Sequence, residues 1–270
     1  MKERVKNFFK SIKPVEWTMW AVSTVIIVAS FFVFKNTQYH YLVGSLIGVS
    51  ALVFTSKGNP IGQGLIIVFG VFYGIISFSF KYYGEMITYL GMSVPIAVFA
   101  LVSWLKNPFA GNKSEVKVNT LSKKEWAIFS VAVVAVTAVF FFILRALGTN
   151  NLIVSTISVA TSFAAAYLTA RRNRFYAIGY MLNDIVLIVL WSLASTSDIT
   201  YLPMTICFSA FFMLDLYGFV NWSRMTKRQR AAAERASADE RPIISDKKPE
   251  TAEMTENSDK KTDGVTSSEL

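Results

Sequence analysis

The sequence predicts an all-α integral membrane protein with eight transmembrane helices. Three observations predict it: 53% of the 270 residues are hydrophobic, the apolar residues fall into eight long segments, and basic residues alternate between the connections. A bilayer core of about 30 Å is crossed by about 20 apolar residues in a helix. A soluble chain of this length could not bury so many apolar side chains in one core.

The apolar segments follow one another with short connections, so a signal peptide ahead of a soluble domain is excluded. They cover residues 16–34, 39–55, 61–80, 85–105, 125–147, 151–170, 174–194 and 199–222. A basic stretch, residues 1–15, precedes them. Residues 231–270 are rich in Ala, Ser, Glu, Lys and Asp and contain few large apolar residues, which predicts a disordered cytoplasmic tail.

The positive charges lie in every second connection. They are Lys2, Arg4, Lys6, Lys10 and Lys13 before the first segment, Lys106, Lys113, Lys117, Lys123 and Lys124 after the fourth, Arg171, Arg172 and Arg174 after the sixth, and Arg224, Lys227, Arg228 and Arg230 after the last. The positive-inside rule therefore predicts cytoplasmic N and C termini. It also explains the net charge of +9 without nucleic-acid binding.

An internal repeat divides the chain into two halves. Ile87–Ser93 reads ITYLGMS and Ile199–Thr205 reads ITYLPMT. Glu16-Trp17 at the start of the first segment matches Glu125-Trp126 at the start of the fifth, and the loop 55–59 (TSKGN) matches 169–173 (TARRN). Four helices per copy is an even number, which predicts a parallel repeat about an axis along the membrane normal, a recurring feature of transporters.

Two carboxyl groups lie inside predicted membrane helices. Helical rise places Asp184 about 15 Å and Asp215 about 10 Å from the cytoplasmic ends of their helices, so the two fit in one layer of the bundle. Ionisable groups at such depth are costly and typical of substrate or ion sites. Hydrogen bonding between helices is the structural alternative.

A polar and aromatic stripe runs along the segment 174–194. Tyr180, Asn183, Leu187 and Trp191 have helical spacing and share one face, while Gln63 and Tyr73 contribute a comparable face in the first half. Such a face suits a flat polar ring, and a cationic ring would be favoured by Trp191 and a nearby carboxylate. A packing stripe with interfacial aromatics is the alternative interpretation. Ser155, Ser158, Ser162 and Ala166 predict a close-packing face on the preceding helix.

The sequence predicts no catalytic residues, no metal ligands and no cofactor. It contains one histidine and one cysteine, and no Ser/His/Asp set, HExxH motif or phosphate-binding loop. Enzymatic function is therefore not predicted.

The chain resembles the PnuC family of nicotinamide riboside transporters. The resemblance rests on Tyr82–Trp104 (YYGEMITYLGMSVPIAVFALVSW) with the following Leu105–Pro108, on Arg171–Trp191, and on Asp215–Trp222 (DLYGFVNW), and it covers about residues 12–228. It implies seven core helices in a 3+1+3 order like that of SWEET transporters: a first triple in 39–105, a linker helix at 125–147 and a second triple in 151–222. Helix 16–34 is then an additional N-terminal helix.

The resemblance further implies import of nicotinamide riboside across the bacterial plasma membrane by facilitated diffusion with alternating access. A cytoplasmic ribosylnicotinamide kinase would trap the product, which links the protein to NAD biosynthesis. The resemblance implies a mid-membrane site of aromatic, Asn and Gln side chains, a description that Tyr180, Asn183 and Trp191 meet. Together with the residues singled out above, the predicted substrate site comprises Gln63, Tyr73, Tyr180, Asn183, Asp184, Trp191 and Asp215, although some members have Asn where Asp215 stands. Related members carry thiamine or deoxynucleosides, and both remain alternatives, as does a membrane subunit without transport activity. Ion coupling and homo-oligomerisation are left open.

Overall fold

The computed structural model describes residues 13–36, 38–79, 83–149 and 151–239. The helices are α1 (Pro14–Val33), α2 (Tyr39–Ser56), α3 (Pro60–Ser79), α4 (Tyr83–Met86), α5 (Val94–Lys106), α6 (Lys123–Ala146), α7 (Leu152–Ala170), α8 (Tyr176–Ser197) and α9 (Leu202–Asp239). A π-helical segment, Ile87–Ser93, joins α4 to α5, and a 3-10 turn, Ile199–Tyr201, precedes α9. Within these residues, seven helices are long and apolar enough to cross a membrane, and the apolar stretch Pro60–Ile75 is an eighth, shorter candidate.

Among the described residues, the regular structure is helical apart from one short hairpin that the sequence did not predict. Strands β1 (Pro108–Phe109) and β2 (Asn112–Val116) pair antiparallel around Ala110 and Gly111, both at positive φ. Backbone hydrogen bonds from Val116 to Gly58 and from Asn119 to Arg172 then tie the segment after the hairpin to the α2–α3 and α7–α8 loops. The connection between α5 and α6 is thus ordered by contacts with both halves of the chain.

The last helix differs from the predicted boundary. The prediction of disorder from residue 231 is wrong for residues up to Asp239, which continue α9, and residues 240–270 lie outside the described part of the chain. Alanine, arginine and glutamate are strong helix formers, so the helix already started by the apolar segment extends through them. Gln229 anchors the extension by accepting from the Val118 backbone and donating to Val116 and Glu115. The predicted basic stretch 1–15 falls on described residues only from Lys13 onward.

The two matching heptapeptides have different backbone conformations. In the first, Val94 N–H donates to the Tyr89 carbonyl five residues back, as in a π-helix. In the second, the Asp198 carboxylate accepts from Thr200 N–H, which lowers the pKa of Asp198, and a new α-helix starts at Leu202. Pro203 stands where the first copy has Gly91, and proline favours the first turn of a helix because its fixed φ suits that position.

The α2–α3 and α7–α8 loops make the same local contacts. Asn59 and Asn173 each accept, through the side-chain oxygen, from the backbone N–H two residues later. Gly58 and Arg172, at equivalent positions, both have positive φ. The similarity seen in the sequence therefore extends to the hydrogen bonds of these two loops.

Ion pairs attach α1 and α6 to these two loops in the same way. Glu16 of α1 pairs with Lys57 at 3.2 Å, and Glu125 of α6 pairs with Arg171. The environments differ, because the Glu16 side chain is 1% exposed and also accepts from Tyr217, whereas Glu125 is 28% exposed.

We expect Glu16→Ala to lower the free energy of unfolding by about 3 kcal/mol or more, since it leaves the Lys57 ammonium without its buried partner. Glu125→Ala is the matched control, and an exposed pair contributes about 0–1 kcal/mol. Thermal unfolding in detergent with intrinsic fluorescence measures both. Equal shifts for the two variants would contradict the prediction.

Candidate functional site

One cavity of about 870 Å³ lies within the helical bundle. Its lining includes every residue predicted for the substrate site: Gln63 and Tyr73 from α3, Tyr180, Asn183, Asp184 and Trp191 from α8, and Asp215 from α9. The structure thus brings the seven together around one space. Their role in binding stays a prediction.

Asn183 has its side-chain carbonyl held by α7. Its Oδ1 accepts from Ser158 at 3.1 Å, from Thr161 at 3.0 Å and from Ser162 at 3.0 Å. Ser158 and Ser162 orient the amide, while the Thr161 hydroxyl, with one hydrogen, also lies 3.0 Å from the Ile157 and Ser158 carbonyls. None of these bonds uses Nδ2, so we expect its two hydrogens to be the donors for a ligand. The residue is 8% exposed and lines the cavity.

The serine face of α7 was predicted to be a close-packing face, and the structure places it along the cavity, where Ser158 and Ser162 bond to α8. Ser155, Ser158, Ser162 and Ala166 all line the cavity. Close packing of α7 and α8 occurs instead at Gly179, where a Cβ atom, if present, would lie 2.8 Å from the Ala165 Cα. The helical spacing of the serines correctly indicated that they share one face. It could not show whether that face packs against a helix or lines a cavity, because a small hydroxyl side chain suits both.

Aromatic rings form one wall of the cavity. Tyr73 lies 4.7 Å from Phe69 and 5.4 Å from Tyr89 between ring centroids, and Trp191 contacts Tyr41 edge to face at 5.8 Å. Such rings offer faces on which a flat ligand can stack. Tyr41, Phe69 and Tyr89 were not predicted for the site, because the periodicity of each helix does not reveal which neighbour it meets.

Towards the basic loops, the cavity lining includes Gln63, Thr169 and Tyr180. Gln63 is 1% exposed and its Nε2 is 3.5 Å from Thr55 Oγ1. Tyr180 is hydrogen-bonded to the Thr169 side chain. At the opposite end the lining extends to Gly84, Gly148, Thr149, Asn151 and Ser197, which lie at helix ends away from the basic loops.

Two buried tryptophans join the helix ends next to the basic loops. Trp104 of α5 donates its indole N–H to the Thr169 carbonyl at 2.8 Å, and Trp222 of α9 donates to the Thr55 carbonyl at 3.0 Å. The rings lie 5.4 Å apart and are at most 1% exposed. Each half thus donates to the matching loop of the other half. We call these two indoles with their two acceptors the tryptophan bracket.

Asp184 and Asp215 lie side by side, close enough to hydrogen-bond, as their predicted depths indicated. Each residue is 4% exposed. Among the described residues, Asp184 Oδ2 has no hydrogen-bond donor. Within the same residues, no group of three or more His, Cys, Asp or Glu side chains is arranged to hold a metal ion.

Apolar helices around a polar and aromatic cavity define a multi-pass membrane transporter. The chain belongs to the nicotinamide mononucleotide transporter family, whose model matches residues 38–224. It is therefore a PnuC-type transporter, and its relatives are named as transporters, not enzymes.

Two relatives are described as the nicotinamide riboside transporter PnuC. The protein from Neisseria mucosa is 27% identical over 78% of this chain and 84% of its own length, and that from Haemophilus influenzae is 25% identical over 83% and 96%. A crystal structure of the vitamin B3 transporter PnuC superposes with a TM-score of 0.68 at 25% identity and covers 80% of this chain and 94% of that one.

Proposed function

We propose that this protein imports nicotinamide riboside by facilitated diffusion with alternating access. The observation that carries the proposal is the cavity, in which stacking aromatics, an oriented amide donor and two carboxyl groups meet. Nicotinamide riboside offers the matching chemistry: a flat cationic pyridinium ring, a carboxamide and a ribose with hydroxyls. The names of the two relatives support the same substrate.

Each predicted site residue has a role in this proposal. Trp191, Tyr180 and Tyr73 supply ring faces for the pyridinium, and Asn183 Nδ2 donates to the carboxamide oxygen. Gln63 bonds the ribose, and Asp184 with Asp215 supplies the charge that balances the cation. These roles rest on the positions of the side chains around the cavity.

We further propose eight spans in a 3+1+3 order with α1 as the additional helix, related as parallel repeats. The paired contacts Glu16–Lys57 and Glu125–Arg171, and the reciprocal bonds of the tryptophan bracket, support a two-fold relation between the halves. The basic loops favour cytoplasmic termini in a bacterial plasma membrane. Lipid would contact α6, which buries only Phe140 and Leu144 among the residues of its helix.

Alternating access would proceed by movement of the halves about the cavity. The tryptophan bracket closes the predicted cytoplasmic end, whereas the lining reaches helix ends on the opposite side. Substrate entering from outside would be released when the bracket separates. Phosphorylation by a cytoplasmic ribosylnicotinamide kinase would then prevent its return.

Purified protein in liposomes that enclose a ribosylnicotinamide kinase and ATP tests the function. We expect labelled nicotinamide riboside to accumulate as its phosphate, with competition by unlabelled riboside and no effect of a protonophore. Stronger competition by thiamine or a deoxynucleoside would assign another substrate, and loss of uptake with the protonophore would show ion coupling. No accumulation above protein-free liposomes would favour a non-transporting subunit.

A further inference from the structure

We propose that Asp184 and Asp215 share one proton and act as a single negative charge, which makes the cavity selective for substrates with one positive charge. The inference rests on the proposed function and specifies the charge class of its substrate. It concerns the electrostatics of the pair, independently of the residues that stack on or orient the ring.

The geometry of the pair is the first argument. The two carboxyl groups approach within hydrogen-bonding range from adjacent helices α8 and α9, and both residues are almost fully buried. A hydrogen bond between two carboxyl groups requires a proton on one of them, because an ionised carboxylate is only an acceptor. Among the described residues Asp184 Oδ2 has no hydrogen-bond donor, so this oxygen is free to carry that proton.

The surroundings are the second argument. The titratable groups that face the pair are Tyr176 and Tyr180 from α8 and Cys207 from α9. Thr169 of α7 bonds to Tyr180, and Ser45 of α2 bonds to Cys207. None of these groups carries a positive charge. The ion pairs of the described residues join Lys57, Arg171 and Arg228 to other acidic residues, away from this pair.

Two adjacent carboxylates without a compensating cation cannot both stay ionised in such a site, so one proton is retained by the pair. The remaining charge of −1 is balanced by one cationic ring. A neutral ligand leaves that charge uncompensated in a buried environment, which weakens its binding. The proton stays with the pair during transport, so uptake remains independent of a proton gradient.

The test compares nicotinamide riboside with its neutral dihydropyridine form in the liposome assay. Wild type should prefer the cation by about tenfold or more, the effect of one close charge pair. Asp184→Asn and Asp215→Asn each replace one carboxyl group of the pair by an isosteric amide and keep the other as a carboxylate, so both should retain the preference. The double variant Asp184→Asn/Asp215→Asn should lose it.

Two outcomes would overturn the proposal: loss of the preference in either single variant, or its retention in the double variant. Size-exclusion profiles and thermal unfolding of the purified variants establish that they are folded. Thermal stabilisation by the 1-methylnicotinamide cation, compared with neutral nicotinamide, measures the same preference without transport. If wild type is stabilised selectively by the cation yet imports no riboside, the proposed function fails while the charge selectivity stands; equal stabilisation by both overturns the selectivity.

Discussion

Asn183→Ala is expected to reduce uptake of nicotinamide riboside by about tenfold to a hundredfold. The substitution removes an amide that lines the cavity, and it leaves the hydroxyls of Ser158, Thr161 and Ser162 without their shared acceptor. Loss of a buried hydrogen-bond partner costs about 1–3 kcal/mol, and 1.4 kcal/mol corresponds to a factor of ten in binding. Initial uptake rates in liposomes over a range of riboside concentrations measure the effect.

Ser162→Ala is the matched control, since Asn183 Oδ1 keeps two other donors. We expect this variant to transport within about fivefold of wild type, because one neutral hydrogen bond contributes about 1 kcal/mol. Trp191→Ala should lower uptake to a similar extent as Asn183→Ala by removing a stacking face. Unchanged uptake by both Asn183→Ala and Trp191→Ala, at equal protein levels, would exclude the proposed site.

Trp222→Ala is expected to open the predicted cytoplasmic end and to abolish most uptake. The substitution removes a fully buried indole from the tryptophan bracket, together with its bond to the Thr55 carbonyl and its contacts with Trp104 and Tyr176. Such truncations cost about 3–5 kcal/mol, which approaches the roughly 5.5 kcal/mol that moves a two-state equilibrium from 1:99 to 99:1. The closed arrangement would then be depopulated.

Cys207 provides the measurement, because it is the only cysteine in the sequence and it lines the cavity. A small thiol reagent applied to the cytoplasmic face of inverted vesicles should modify Cys207 faster in Trp222→Ala than in wild type. Trp17→Ala, at an indole that is 38% exposed, is the control and should not change the rate. Equal rates in Trp222→Ala and wild type would show that the bracket does not close this end.

The bounds of most helices could be predicted to within a few residues, because apolar length and flanking charge are properties of the sequence itself, although the last helix runs to Asp239, 17 residues beyond the predicted end at 222. The predicted segment 151–170 is found as Leu152–Ala170, and 125–147 as Lys123–Ala146. Predictions failed where distant contacts decide the backbone. The hairpin 108–116 is bonded to Gly58 and Gln229, which are distant in the chain. Such contacts cannot be recognised from the residues of the hairpin itself.

The candidate site was predicted in part. Spacing of three and four residues placed Tyr180, Asn183 and Trp191 on one face, and the cost of burying ionisable groups singled out Asp184 and Asp215. Tyr41 and Tyr89 were missed, since an aromatic residue in an apolar helix looks the same whether it faces lipid, a neighbour or a cavity. Ser158 and Ser162 were assigned to packing for the same reason.

The sequence by itself indicated that the chain crosses a membrane repeatedly, where most of its helices begin and end, and that short segments recur in its two halves. These follow from apolar length, charge and repetition, which act locally along the chain. Only the tertiary structure decided that Asn183 is held by three hydroxyls, that Asp184 meets Asp215, and that Trp104 and Trp222 bond across the halves. Those contacts join residues that are far apart in the chain, and packing of the helices alone determines which faces meet.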